Sequence, residues 1–419
     1  MRLPAAALRW GAGDQALSSV TNFAILVVVA RSAGPVDLGV FAIFTAGYST
    51  VTYVNESLVS EPFIVRHTAI AREAWRARVR EATAASVALG ALCSLALLIS
   101  AFIAGGTLGG LLLLGAVCAP ALLVQDTIRF AFFAAGRQRT AFCNDLLWGV
   151  LQLAGYLIVH ATHTHSLVAV VATWAGAGAV AGCAGLWQAR ALPQMSRTVA
   201  WLRAHHDLWR FILLERLSGQ GAMYLSLVGI GAFAGLSAVA AVRAAQSLFG
   251  PLYITLNAVR IVMLPSLVAT SGDRRRRRVH MTVLFTVLIA AACGAVITFL
   301  PGPVGRALFG ATWPLVAPLL LFVSLSRITG SAAEAWRLGL LSGASVRRSL
   351  AARVALATAL IIGTAAGAAL AGARGAVVAE AIVFPLGAAL FFRQFLVSTR
   401  STSAGARMRA LLVDAEMLG

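Results

Sequence analysis

Lysine is absent from this chain, and acids are scarce. Only 15 Asp and Glu residues stand against 34 basic ones, every one of them arginine, an imbalance of the kind a GC-rich bacterial coding sequence gives. Charged residues of both signs amount to 12% of the sequence and hydrophobic ones to 59%, which excludes an ordinary soluble domain. Cysteine is also sparse. Cys93, Cys118, Cys143, Cys183 and Cys293 are scattered through apolar segments with neither CxxC nor metal spacing. They read as small buried hydrophobes, not as a disulfide framework or a zinc site. The opening MRLPAAALRWGAGDQ lacks the charged, apolar and cleavage regions of a signal peptide, so the first apolar run is expected to remain as a membrane span.

What is present is a succession of long apolar runs. A net charge of +19 would point to nucleic acid in a soluble protein. Here the arginines sit in short clusters between the runs, the pattern of loops facing anionic lipid, and no nucleic-acid partner is expected. About twelve spans fit the length a helix needs to cross a bilayer. They lie near 13–31, 39–62, 82–104, 111–135, 141–159, 167–188, 211–233, 237–268, 280–300, 315–341, 350–371 and 376–397, numbered here as spans one to twelve. Alternate loops are arginine-rich: RHTAIAREAWRARVRE, GRQRT, a connector from Arg190 to Arg210, SGDRRRRRVH, SVRRS, and a tail with Arg400, Arg407 and Arg409. The intervening loops hold only Arg31, Arg306 and Arg374. By the positive-inside rule both termini are expected in the cytoplasm of a bacterial cell, with the chain in its cytoplasmic membrane.

The fold class expected is an all-α membrane protein with two related halves, 1–200 and 201–419. Spans one and two form a hairpin turned at Gly34-Pro35, with Asp14, Ser18 and Asn22 on one helix and Tyr48, Thr52, Glu56 and Ser60 on the other, each set at four-residue steps. Spans seven and eight repeat the design, with Glu215 where Asp14 stood, Gly235 for Gly34 and Asn257 for Glu56. Leu264-Pro265 answers Glu61-Pro62. Asp126-Thr-Ile-Arg129 in span four is echoed by Glu334-Ala-Trp-Arg337 in span ten, and an acid three residues before a base can form a local pair. Internal duplication is a habit of secondary transporters.

With VARSAGPVDLGVFAIF, NESLVSEPFIV, AAGRQRTAFCNDLLW and LFGATWPLVAPLL, the chain resembles the polysaccharide (O-antigen or exopolysaccharide) flippases of the multidrug/oligosaccharidyl-lipid/polysaccharide exporter superfamily. The resemblance implies two pseudo-symmetric six-helix lobes in a MATE-like V around a central cavity. It also implies carriage of a polyprenyl-diphosphate-linked oligosaccharide between leaflets, in a pathway shared with glycosyltransferases and a glycan polymerase. The peptidoglycan-precursor flippases of the superfamily generally have two further spans, not found here.

A charge inside a bilayer is costly, so each needs a reason. Span eight carries Arg243, Ser247, Gly250, Tyr253, Asn257 and Arg260 on one face, with a kink expected at Gly250-Pro251, and Arg327 lies mid-span in span ten. Guanidinium binds phosphate oxygens as a fork. Arg243, Arg260 and Arg327 are therefore read as a cationic wall for a diphosphate headgroup, with Tyr253, Asn257 and Asn22 as polar partners. The structural alternative pairs each arginine with a local acid, Arg327 with Glu334, or lets it snorkel, as is expected of Arg129 and Arg337 near span ends. Glu56, with Asp14, is the candidate for coupling to an H+ or Na+ gradient. Against that, Asp14, Glu61 and Glu215 can serve as anchors at the cytoplasmic interface. Glu380 is expected to be interfacial. Glycines 178 and 182, and 363 and 367, read as close helix packing. His160, His163 and His165 read as a solvated turn, and no metal or cofactor is expected.

Three functional classes follow. A flippase accounts for the intramembrane arginines. A drug or cation antiporter on the same fold calls for an acidic cavity and gives those arginines no task. A membrane glycan polymerase or ligase requires a long extracytoplasmic loop bearing catalytic groups, and the chain has none, so it is not read as an enzyme.

Overall fold

The computed structural model describes residues 5–417 except 69, 165, 269 and 344, with the backbone alone at 5–8, 12, 258, 261, 262, 264, 265, 346 and 400–417. His165, the side chains of Leu264 and Pro265, and those of the tail arginines Arg400, Arg407 and Arg409 lie outside the described set. Every regular element among the described residues is helical. Nine stretches among them are long and apolar enough to cross a membrane. One of these, Arg347–Thr399, is two spans, because Ala371 and Gly372 leave helical geometry inside it. Spans two and eight are rods of comparable length, at 35–67 and 236–268, interrupted by a π-turn and by a turn at 248–249. The expected twelve spans are thereby accounted for. The break in span eight falls at Leu248-Phe249, immediately before Gly250-Pro251, because proline cannot supply the hydrogen bond that would carry the helix through.

Lipid explains an exterior that water would not tolerate. Leu370 is 88% exposed and Phe102 83%. The opening hairpin turns at Gly34, after which Pro35 occupies the first helical position, where its missing N–H costs nothing. Small residues let spans touch, as the sequence spacing suggested. A Cβ at Gly182 would strike the carbonyl of Ala121, and one at Gly367 would strike the backbone of Gly375, so spans six and eleven lie directly against spans four and twelve.

Contacts divide the chain into two compact units, residues 1–227 with 306–312, and residues 228–305 with 313–419. The boundary falls inside span seven, so the connector and Arg216 pack with the first unit. The first unit has a buried cluster of Val59, Phe63, Trp75, Val79, Phe132 and Trp201. The second has one of Leu267, Val279, Trp336, Leu338, Phe391 and Phe395. Both clusters sit at the arginine-rich ends of the spans. Water reaches the protein there, and burying apolar surface is favourable, whereas within hydrocarbon that driving force is absent.

Candidate functional site

Charged side chains are gathered inside each unit; the local pair Glu334–Arg337 that the spacing suggested is present, while other partners differ from those the sequence suggested. In the second unit Arg327 is buried, 5% exposed, and faces Glu380 at 3.3 Å. Its Nη1 donates to the Tyr253 hydroxyl at 2.6 Å, and the rings of Tyr253 and Phe384 each lie 5.8 Å from the guanidinium carbon. Gln246 donates to the other oxygen of Glu380 at 3.0 Å, while Nε of Arg327 has no hydrogen-bond partner among the described residues. Glu380, expected at the outer end of span twelve, is buried, because span twelve turns it toward span ten. One expectation is corrected here. Glu334 is not the partner of Arg327, because it bonds Arg337 and approaches Arg353 at 3.6 Å, with Arg260 attracting it at longer range. Arg337 is accordingly paired instead of snorkelling.

The structure brings Tyr253 to Arg327 and leaves Asn257 and Arg260 exposed on the same face of span eight. Arg243, on the other side of the break at 248–249, is half-buried. Asn22 is exposed on span one, and its amide donates to its own helix at the Ser18 carbonyl.

In the first unit Asp14 is fully buried and accepts from Arg129 at 2.9 Å. Arg129 also meets Asp145 at 3.4 Å, which corrects the reading of Arg129 as a snorkelling residue. The chain of contacts continues from Asp145 to Gln125, and from Gln125 through Asn144 to Gln188. With Arg129 turned toward spans one and five, the local pair with Asp126 does not form. Asp126 instead accepts from Asn55 at 3.1 Å and Ser60 at 3.0 Å.

The remaining cluster centres on a residue the sequence reading passed over. Arg216 binds Glu56 at 2.8 Å and is bonded to Glu61 through Nη2 and, at 3.0 Å, through Nε. Its guanidinium carbon lies 5.3 Å above the ring of Tyr53, which stacks on Tyr224. Five α-helical steps would leave Glu56 and Glu61 about 140° apart around the axis. The π-turn Glu56–Ser60, closed by the Glu61 N–H to the Glu56 carbonyl, widens the helix by one residue and lets both carboxylates reach one arginine. A second π-turn, Leu217–Gly221, follows Arg216 directly. Repeat matching drew attention to the neighbouring Glu215, and a π-turn leaves no mark in residue spacing. The available signal was an arginine beside that acid in an apolar span.

The polar inventory thus differs between the units. In the first, two carboxylates compete for Arg216 and two for Arg129. In the second, two arginines converge on Glu334. Among the described residues no group of three side chains could hold a metal ion.

No protein-family model matches the sequence, and no curated protein does. Solved structures match over nearly the whole chain. An inward-facing multidrug resistance MATE family transporter of the MOP superfamily is 15% identical, covering 93% of this chain and 96% of its own, with a TM-score of 0.72. An outward-facing structure of such a transporter is 15% identical over 95% of this chain and 96% of its own, at 0.60. A MOP superfamily transporter from Pyrococcus furiosus, described as having a binding pocket of reverse polarity, is 14% identical over 95% of this chain and 94% of its own, at 0.54. The chain has the fold of these transporters.

Proposed function

We propose that this protein is a MOP-superfamily transporter that moves a polyprenyl-diphosphate-linked oligosaccharide across the bacterial cytoplasmic membrane by alternating access, for assembly of a surface polysaccharide. The observation that carries this reading is the exposed face of span eight, where Tyr253, Asn257 and Arg260 follow one another and Tyr253 is bonded to Arg327. An exposed polar face on a membrane helix belongs against water, not lipid tails. A diphosphate suits donors in that order, hydroxyl, amide and guanidinium. The 3.3 Å contact of Arg327 with Glu380 is long for a charge-assisted bond, which leaves the guanidinium able to turn to phosphate oxygens. Arg243 is assigned to the same wall. The two compact units, 1–227 with 306–312 and 228–305 with 313–419, stand for the two sequence halves as the moving parts, and the polyprenyl tail stays in lipid.

Coupling is assigned to the Glu56–Glu61–Arg216 cluster, since two carboxylates facing one guanidinium are one positive charge short. An H+ or Na+ fills that deficit. Asp14 is bonded to Arg129 and takes a supporting role. The arginine-rich loops face the cytoplasm, and the glycosyltransferases and polymerase that make and use the cargo are its functional partners. No catalytic step on the cargo is assigned to this chain.

A second reading, a MATE-like drug or cation antiporter, draws on the surplus of buried carboxylates in the first unit. The two are separated by reconstituting purified protein into liposomes. A fluorescent diphosphate-linked oligosaccharide lipid should become accessible to an outside quencher at a rate set by the protein. Uptake of organic cations with no lipid movement would select the antiporter.

A further inference from the structure

Trp201 belongs to the short connector helix Thr198–Ala204, outside the apolar spans, yet it is 1% exposed and reaches into span two. Its indole Nε1 donates to the carbonyl of Leu58 at 3.2 Å. Leu58 is the middle residue of the π-turn that presents Glu56 and Glu61 to Arg216. The indole ring stacks with Phe63, centroids 6.1 Å apart, and with His205 at 3.9 Å. His205 is fixed in turn. Its Nδ1 lies 2.8 Å from the Trp201 carbonyl and its Nε2 3.2 Å from Nε2 of His67. A neutral imidazole donating from Nδ1 must accept at Nε2, so His67 supplies the proton of the second bond. Outside this stack Arg66 binds Asp207 at 2.6 Å and the carbonyl of Ala204. Span two is thus tied to the connector by Leu58, Phe63, Arg66 and His67.

A π-turn is an uncommon form of helix and persists where its surroundings hold it. Relaxing it to α-helix would shift residues before it by one position relative to Glu61, about 100° of rotation and 1.5 Å of rise. Glu56 would then leave Arg216. We propose that Trp201 is a positioning residue whose indole N–H holds the π-turn in the register that gives both Glu56 and Glu61 to Arg216, making the connector a control point over that charge cluster. The proposal needs only the cluster and is independent of the cargo.

The test uses full-length protein in lipid nanodiscs. Trp201→Phe keeps a stacked ring and removes the donor. Loss of one hydrogen bond should speed hydrogen–deuterium exchange of amides 57–61 about fivefold. In 3-fluorotyrosine NMR, the chain has five tyrosines. The Tyr53 signal, assigned by Tyr53→Phe, should move as Arg216 leaves its ring, while that of Tyr156 stays. Val79→Ala is the packing control, since Val79 is fully buried in the same cluster but bonds nothing in the π-turn. His205→Gln, which loosens the stack, should move Tyr53 in the same direction and provides the test where Trp201→Phe does not fold. An unmoved Tyr53 signal with unchanged exchange at 57–61, or an equal response in Val79→Ala, would overturn the proposal.

Discussion

Replacing Arg327 with Met should strand Glu380. The carboxylate is 4% exposed and would keep only the 3.0 Å bond from Gln246. Breaking a buried ion pair by removing one partner costs about 3–5 kcal/mol. Neutral polar contacts between membrane helices average only about 0.6 kcal/mol, so a loss of that size must come from the unpaired charge and not from the Tyr253 bond. Glu380→Gln should cost less, because Arg327 retains Tyr253 and two aromatic rings at 5.8 Å. The double variant Arg327→Met/Glu380→Gln removes both charges and keeps an amide for Gln246. It should be measurably more stable than Arg327→Met, by up to the coupling between the two sites, about 2 kcal/mol. Equilibrium unfolding in mild detergent measures all four proteins, and the same proteins in liposomes are assayed for lipid movement. The double variant should be stable and inactive, since a pair retained for cargo binding can be replaced for folding but not for function. A double variant as unstable as Arg327→Met would refute the charge argument. One that moves lipid at the wild-type rate would make the pair purely structural.

Glu56→Gln should leave transport running but insensitive to the ion gradient, checked by collapsing the gradient with ionophores; retained sensitivity would place coupling elsewhere. Arg243→Ala should reduce cargo movement while the protein still reaches the membrane, measured by surface polysaccharide against membrane abundance; unchanged export would remove Arg243 from the wall. His67 lies past the apolar part of span two, and burial, with the charges of His205, Arg78 and Arg66, lowers its pKa from 6.5 to about 4 against the pull of Glu81. His205 is also lowered, chiefly by burial, with its bond to Trp201 and the charge of Asp207 opposing. The unfolded chain therefore binds more protons between those values, and the stability that the neutral His67–His205 contact gives is fully present above pH 6.5 and fades as pH falls toward about 4. Thermal melts of wild type and His67→Gln should converge over that window, and parallel curves would show that the His67–His205 contact adds no stability. Gly367→Leu should cost several degrees of melting temperature by forcing spans eleven and twelve apart, and an unchanged melt would contradict their backbone contact.

The spans were legible because hydrocarbon imposes one rule, that the backbone bond itself within each crossing, and a long apolar run is its plain signature. The break before Gly250-Pro251 and the contacts at Gly182 and Gly367 were readable for similarly local reasons. Partners were not. Arg327 chose Glu380 over Glu334 because pairing depends on which faces of spans ten and twelve meet, information held in no window of sequence. Asp126 and Arg129 match the spacing of a local pair, yet Asp14 and Asp145 draw the guanidinium away. Arg216 escaped notice because a π-turn, invisible in periodicity, gathers two glutamates that ordinary helix geometry would separate. The bond of Tyr253 to Arg327 was equally out of reach, since it joins spans eight and ten and no residue spacing relates them.

The most direct measurement is the movement of a labelled polyprenyl-diphosphate-linked oligosaccharide across liposomes holding the wild-type protein, alongside Arg327→Met/Glu380→Gln at matched reconstitution. Protein-dependent movement in the first and none in the second is the expected result. No movement with wild type under any imposed ion gradient, together with gradient-driven exchange of organic cations, would contradict the assignment of a lipid-diphosphate cargo.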